Sequence, residues 1–457
     1  MNSIDQYQFD EIQRPFYDWE RQLINLRCKV SDIDIANSRN SMSEDGKKQI
    51  SILIHEYIHF LQNFSTSWGA CVFTDFSLAL MKIAVSSALS KEVLESPLSM
   101  PNLKNSMLID GLNLRKAVVD RINKCNNSQE HENGILVKLS IINSNEKCKI
   151  ITNGKITVEL GGKVIREHMA YLGTQLFLKK TDEEIHDYNE KNDSFTSNGI
   201  GFSKQPEYWV LYEYLYHLNL FSSLAKGVFY LTQQCLITLN PELALLRFMN
   251  WLQKNKAKFR GKPDFVNVIE DWLKTGKEAL SFKGDFTKSV MHCESVLKLT
   301  MKYINENHIY LFTHNIIEYS LKNIQNTHGG KFLFMPSDDF TNVNYWKNKI
   351  SHFGTGIVRY LDNTLIHGTA EHCTKMHDSF NFLVSCSLVL EKILNNKQAI
   401  CPFLEDLPIC RASFKEHENC YMNPFSMIQH DSSGQECLFV NGIILLGMVG
   451  RVKFGIK

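Results

Sequence analysis

The stretch "SILIHEYIHFLQN", residues 51–63, decides how this chain is read. His55 and His59 stand four apart, with Glu56 directly after the first. Residues at i and i+4 share one face of an α-helix, so both imidazoles can face one ion. Glu56 lies about 100° further round the helix and reaches the neighbouring volume, where a water would sit. At the same angular step Ile50, Leu53, Ile54, Ile58 and Leu61 gather on a broad apolar arc, with the histidines on the opposite side. Ser43 or Asp45 can cap this helix, Glu44 falls in its first turn, and the pattern predicts that it runs to about Asn63. Such a helix buries its arc and presents both imidazoles to a cleft.

His55-Glu56-Tyr57-Ile58-His59 resembles the zinc helix of the zincin metallopeptidases, and the fuller "HEYIHFLQ" resembles a set of poorly characterised bacterial proteins that carry it. The resemblance covers little of the chain beyond these residues. It implies a Zn²⁺ site with His55 and His59 as ligands and Glu56 as general base, acting on a protein or peptide substrate. The metzincin branch continues with a glycine and a third histidine, where this chain has Gln62 and Ser65, so that branch is excluded. The gluzincin-like alternative draws a glutamate from a later helix, and zinc needs such a third protein ligand beside an open position for water.

Several glutamates compete for that role. Glu167, in "GGKVIREHMAYLGTQ", is the choice. Val164, Ile165, Met169, Leu172 and Leu176 make that segment an amphipathic helix, and Gly161, Gly162, Ala170 and Gly173 permit close approach to another helix. Its Glu-x-Met-Ala string resembles the third-ligand helix of the same bacterial proteins. Glu213, with His217 four residues on, is an alternative, as are Glu92 and Glu95; Glu190 lies in a stretch read as polar loop and is discounted. Glu167 follows His59 by 108 positions, longer than the usual gluzincin gap. The segment 135–160 between them must then be an insertion, or a substrate-aligning edge strand placed late.

The chemistry implied is hydrolysis by a water made acidic at the zinc, its pKa falling from ~16 toward ~7. Glu56 takes the water's proton and passes it to the leaving amine. Tyr171, Tyr212, Tyr216 and His217 are candidates for a second donor to the developing oxyanion, though each reads more simply as packing. Gln62 sits near the His59 side of its helix and can either bond that ring or face solvent. His168 points about 100° away from Glu167 and is not expected to share its ligand role.

Around this core the 457-residue chain has an ordinary globular composition, with 44% apolar and 22% charged residues. A formal net charge of +1 offers no electrostatic ground for a nucleic-acid or anionic-membrane partner. The polar, acidic start lacks the pattern of a secretory signal, no stretch is read as a membrane span, and the twelve cysteines read as mainly reduced buried thiols, so a cytoplasmic location is expected. The fold class expected is α+β, predominantly helical: a zincin-like metal helix, a small β-hairpin or sheet region and a helical C-terminal half.

Three regions are expected: 1–205 with the metal helix and a β insertion at about 135–160, a helical 206–330, and a mixed, cysteine-containing 331–457. A second helix is predicted over 75–92 after a break at Ser65–Gly69. Asn153-Gly154 marks a hairpin turn, 163–178 a helix, and 181–205 a polar loop. Residues 326–380 read as loop-rich and 400–457 as irregular or β, including a buried strand or core segment in "FVNGIILLGMVG". The Lys-rich 253–264 reads as a solvated turn. His367, His372, Cys373 and His377 read as loop residues, while Cys401, Cys410, Cys420 and Cys437 could hold a second zinc but lack paired C-x₂-C spacing. Outside enzymology, the chain could be a helical binding or regulatory protein with a structural or degenerate metal site, its aromatic helices over 207–235 forming a partner groove. A third possibility is hydrolysis of a non-peptide amide at the same zinc.

Overall fold

The computed structural model describes residues 16–19, 23–26, 44–90, 93–96, 98, 103–123, 127–128, 137–142, 147–152, 156–193, 208–305, 308–355, 357–359, 365–367, 376–395, 438–449 and 452–454. Helix α1 (Glu44–Ser65) is the one the opening stretch predicts. Ile50, Ile54, Ile58 and Leu61 are buried as the apolar arc requires, with Leu53 half-buried. Tyr57, Phe60 and Phe64 are fully buried as well, so from Ile54 to Ser65 every residue of α1 is buried and this part of the helix lies within the core rather than over it. Its neighbours are α2 (Ser67–Leu89), α4 (Gly162–Phe177) and α11 (His308–Asn326).

The predicted break between the first two helices shrinks to one residue. Thr66 has extended backbone angles, its Oγ1 accepts from the amide of Gly69, and its hydroxyl donates to the carbonyl of Gln62. Thr66 is therefore an N-cap that starts α2 at once, eight residues before the expected start. Gly69 is no breaker: a Cβ there would stand 1.9 Å from the Gln62 carbonyl oxygen, so only glycine lets the two helices meet so closely. Helix α2 is long and apolar enough, by length and composition, to cross a membrane, and here 67% of its apolar window is packed inside the fold. The expectation of no such stretch rested on an unbroken apolar run, which Thr74, Asp75 and Ser77 interrupt without making the helix polar.

The molecule is predominantly helical with small sheets. Helix α2 also packs on α3 (Ser106–Asn123), α10 (Gly276–Tyr303) and α11. The β region lies where its pattern places it: β4 (Asn127–Ser128), β5 (Val137–Ile142), β6 (Lys147–Thr152) and β7 (Ile156–Glu159) form an antiparallel sheet in the order β4-β7-β6-β5. The Asn153-Gly154 turn lies outside the described residues. Strand β7 leads straight into α4, which runs antiparallel to α1: Gln62 pairs with Arg166 near one end, and Ser51 with Thr174 near the other. Gly173 makes this contact tight, since a Cβ there would meet Ile58 Cδ1 at 2.3 Å.

The polar segment after 181 is helical, α5 (Asp182–Asp193). Its start carries a capping box that its polarity concealed: the Thr181 amide donates to Glu184, and the Glu184 amide donates back to Thr181 Oγ1. The aromatic helices α6 (Val210–Leu218) and α7 (Leu224–Leu236) are core rather than groove, with Val210, Leu211, Tyr212, Val228 and Leu231 fully buried. Helices α8 (Pro241–Asn255) and α9 (Phe265–Leu273) follow, and between them lies the exposed Lys-rich turn anchored by buried Phe259.

The stretch expected to be loop-rich contains α12 (Val343–Phe353), capped by the Asn342 side chain, and the short strands β8 (Ile357–Arg359) and β9 (Leu365–His367). These join β1 (Phe16–Asp18) and β2 (Leu23–Asn25) in a sheet ordered β1-β2-β8-β9. Helix α13 (His377–Asn395) packs on α14 (Leu438–Leu445), and β10 (Val452–Phe454) pairs in parallel with β3 (Leu94–Ser96). The "FVNGIILLGMVG" run thus opens as a helix, not a strand, with Val440, Ile443 and Leu446 buried three apart. A short apolar run fits either period, and the packing against α13 decided it. One apolar cluster links residues from Ile24 to Met448.

Candidate metal centre

The two histidines of α1 lie with ring centroids 5.0 Å apart and planes at 82°. From α4, which the small residues let approach, Glu167 reaches them. Its Oε2 stands 3.1 Å from His59 Nε2 and 3.8 Å from His55 Nε2. Ligand atoms of His55, His59 and Glu167 all lie within 4.8 Å of one another, a group that could hold a metal ion. Ligands about 2.0–2.1 Å from a tetrahedral ion stand roughly 3.3 Å apart, and the two measured distances bracket that edge.

A second layer settles which nitrogen faces the site. Gln62, three residues after His59, is fully buried rather than solvent-facing. Its Nε2 donates to the Arg166 carbonyl, so its Oε1 is the acceptor. That oxygen lies 3.0 Å from His59 Nδ1 and also accepts from Arg166 Nε at 3.3 Å. An acceptor opposite Nδ1 requires Nδ1 to carry the hydrogen, which leaves the lone pair of a neutral His59 on Nε2, aimed at Glu167. Two acceptors at 3.1 Å repel unless a positive charge, a proton or a metal ion, sits between them. Arg166 is itself held with its guanidinium 5.6 Å over the Trp68 ring.

Electrostatics agree. Burial alone would raise the Glu167 carboxyl, but the adjacent His59 and His55, through charge and hydrogen bonds, hold it well below the usual carboxylate range. Glu56, His55 and His59 are only 6%, 4% and 4% exposed, while the Glu167 side chain keeps 16%, so solvent reaches the site along that edge. Two surface cavities among the described residues are lined by other side chains, one by Ser90, Val93, Lys104 and Asn105, the other mainly by residues of α6 and α8.

The remaining candidates separate. Glu213 is fully buried in a different cluster, bonded to His186 and Asn189. Glu190 belongs to α5 rather than a loop, Glu95 to β3, and their side chains, like Glu92, lie outside the description, as do Cys401, Cys410, Cys420, Cys437, His372 and Cys373 and the side chains of His367 and His377. His168 is buried and bonded at both ring nitrogens, to the Val164 carbonyl and the Leu211 amide, which takes it out of the ligand set and locks α4 to α6.

Tyr171 donates to Asn189 and Tyr212 to Asp182, and burial pushes both phenols up. Tyr216 stacks on His186. Among the described residues, Tyr208 stands beside the site, half-buried, its ring 5.8 Å from that of His55. It precedes α6 and shares no spacing with the histidines, so no sequence rule points to it. No protein-family profile, curated protein or solved structure matches this chain.

Proposed function

We propose that this chain is a zinc-dependent metallopeptidase, gluzincin-like in its ligand set and acting within peptide chains. The observation that carries the reading is the convergence of Glu167 on His55 and His59 across 108 positions, around a helix that also bears Glu56. Two imidazoles and one carboxylate are the donor set of catalytic zinc sites. The chemistry such an ion supplies is Lewis acidity toward a carbonyl and a lowered pKa for water.

The chain's own residues do the rest. Gln62 and Arg166 hold His59 in the tautomer that turns Nε2 to the site. Glu167 supplies the compensating negative charge. Glu56, adjacent to His55 on α1, takes a proton from the attacking water at its carboxylate and returns it to the leaving amine nitrogen. Near-complete burial of the three α1 side chains keeps bulk water from competing.

The test is Glu56→Gln. The variant is expected to retain its metal while losing hydrolysis of a quenched-fluorescent peptide library by about 10²–10⁴-fold. Undiminished cleavage removes Glu56 from the mechanism. One observation favours a second reading, a structural ion in a helical binding protein: the same burial of His55, Glu56 and His59. A protein that holds metal tightly, loses stability to chelator and cleaves nothing in the library belongs to that reading.

A further inference from the structure

Helices α5 and α6 bring a second set of metal-binding side chains together. His186 lies on α5, and Glu213 and His217 lie one turn apart on α6. Their ligand atoms are all within 4.8 Å of one another. The two rings stand 5.4 Å apart at 87°, nearly the mutual arrangement of His55 and His59 at 5.0 Å and 82°. We propose that His186, Glu213 and His217 form a second metal site, taking one divalent transition ion of the zinc type and stapling α5 to α6.

The donor chemistry fits, two imidazoles and a carboxylate. Glu213 has no solvent exposure, and a carboxylate buried that far needs positive charge beside it. Its other oxygen accepts from Asn189 Nδ2, and Asn189 in turn accepts from the Tyr171 hydroxyl at 2.7 Å. That chain orients the carboxylate as outer partners orient ligands in metal sites. His186 is braced by the Tyr216 ring, 4.2 Å away and stacked.

Access comes from the solvent side. The His186 side chain is 14% exposed and His217 is exposed, so an ion can enter over His217 while Glu213 forms the floor. His186 Nδ1 and Glu213 Oε2 are 2.7 Å apart, closer than the roughly 3.3 Å edge of a zinc tetrahedron. Binding therefore displaces the proton they share and widens the pair, a change His186 and His217 can absorb by small side-chain rotations. The site is independent of the peptidase reading and lies on different helices from His55 and His59.

Equilibrium dialysis of the full chain against Zn²⁺, with metal counted by mass spectrometry, tests this. The expected result is about two ions per wild-type chain and about one in each double variant, His55→Ala with His59→Ala and His186→Ala with His217→Ala. Zn²⁺ is also expected to raise the melting temperature of the first variant. One ion in the wild type, lost with His55 and His59, overturns the second site; one ion lost instead with His186 and His217 upholds it and sinks the first. Should the second double variant not fold, His217→Ala alone, at an exposed position, is expected to weaken the second ion about tenfold or more, and unchanged binding there overturns the proposal.

Discussion

Gln62 Oε1 lies 3.0 Å from His59 Nδ1, and that contact makes the ring nitrogen a donor and turns its other nitrogen toward Glu167. A neutral amide does here what a carboxylate or backbone carbonyl does beside metal-ligating histidines.

Loss of this contact is expected to weaken metal binding before it touches anything else. Gln62→Ala should lower affinity at the His55–His59–Glu167 site by about 10–100-fold. Gln62→Glu also accepts from Nδ1 and should retain most of it. Competition with a chromophoric chelator reads both values, and equal affinity in Gln62→Ala and wild type would remove Gln62 from the site.

The close approach of α1 and α4, which carry His55, His59 and Glu167, makes a second prediction. Gly173→Ala places a methyl against Ile58 Cδ1, and overpacking of this kind costs about 1–3 kcal/mol. Ile58→Val removes that Cδ1, so the double variant should be more stable than the sum of the two single effects, a coupling a denaturant cycle measures. Gly69→Ala should cost more than Gly173→Ala, because its methyl meets the Gln62 backbone oxygen, which cannot swing aside.

Acidification should release any metal ion bound between α1 and α4. Imidazoles ligate only when neutral, so protons compete with metal, and affinity falls as pH falls. Glu167 adds little to that competition in mild acid, because His59 and His55 outweigh its burial and keep its carboxyl well below the usual range. The logarithm of Kd should therefore rise by up to about two per pH unit, whereas a slope near three would show the carboxylate protonating as well. The His186→Ala, His217→Ala background isolates this site.

Thiol reactivity tests the core. Cys71, Cys235, Cys293 and Cys386 are buried and free, and burial pushes the Cys71 thiol up to about 12. Alkylation needs both access and thiolate. Iodoacetamide should leave these four unmodified in the native protein and modify all of them in guanidinium, as peptide mass mapping would show. Rapid native labelling of Cys235 or Cys386, fully enclosed here, would contradict the packing around them.

Helix α1 and its apolar arc were legible in the sequence because a helix repeats every 3.6 residues, and His55, Glu56 and His59 fall within one turn or so. The same local logic placed α4 and the β5–β7 sheet. It overlooked α5, whose Thr181–Glu184 capping box was readable but hidden in a polar run, and it misread Thr66 and Gly69, where a cap and a close contact look like a break.

What periodicity could not decide was partnership between distant segments. Glu167 over Glu213, Gln62 against Arg166, Tyr208 beside His55, and the pairing of His186 with Glu213 each join residues from different helices. Local spacing dictates which side chains share a face, but which faces meet depends on burying the whole apolar surface at once. Here that condition seats α4 antiparallel to α1, with Gly173 over Ile58 and Glu167 over the two imidazoles.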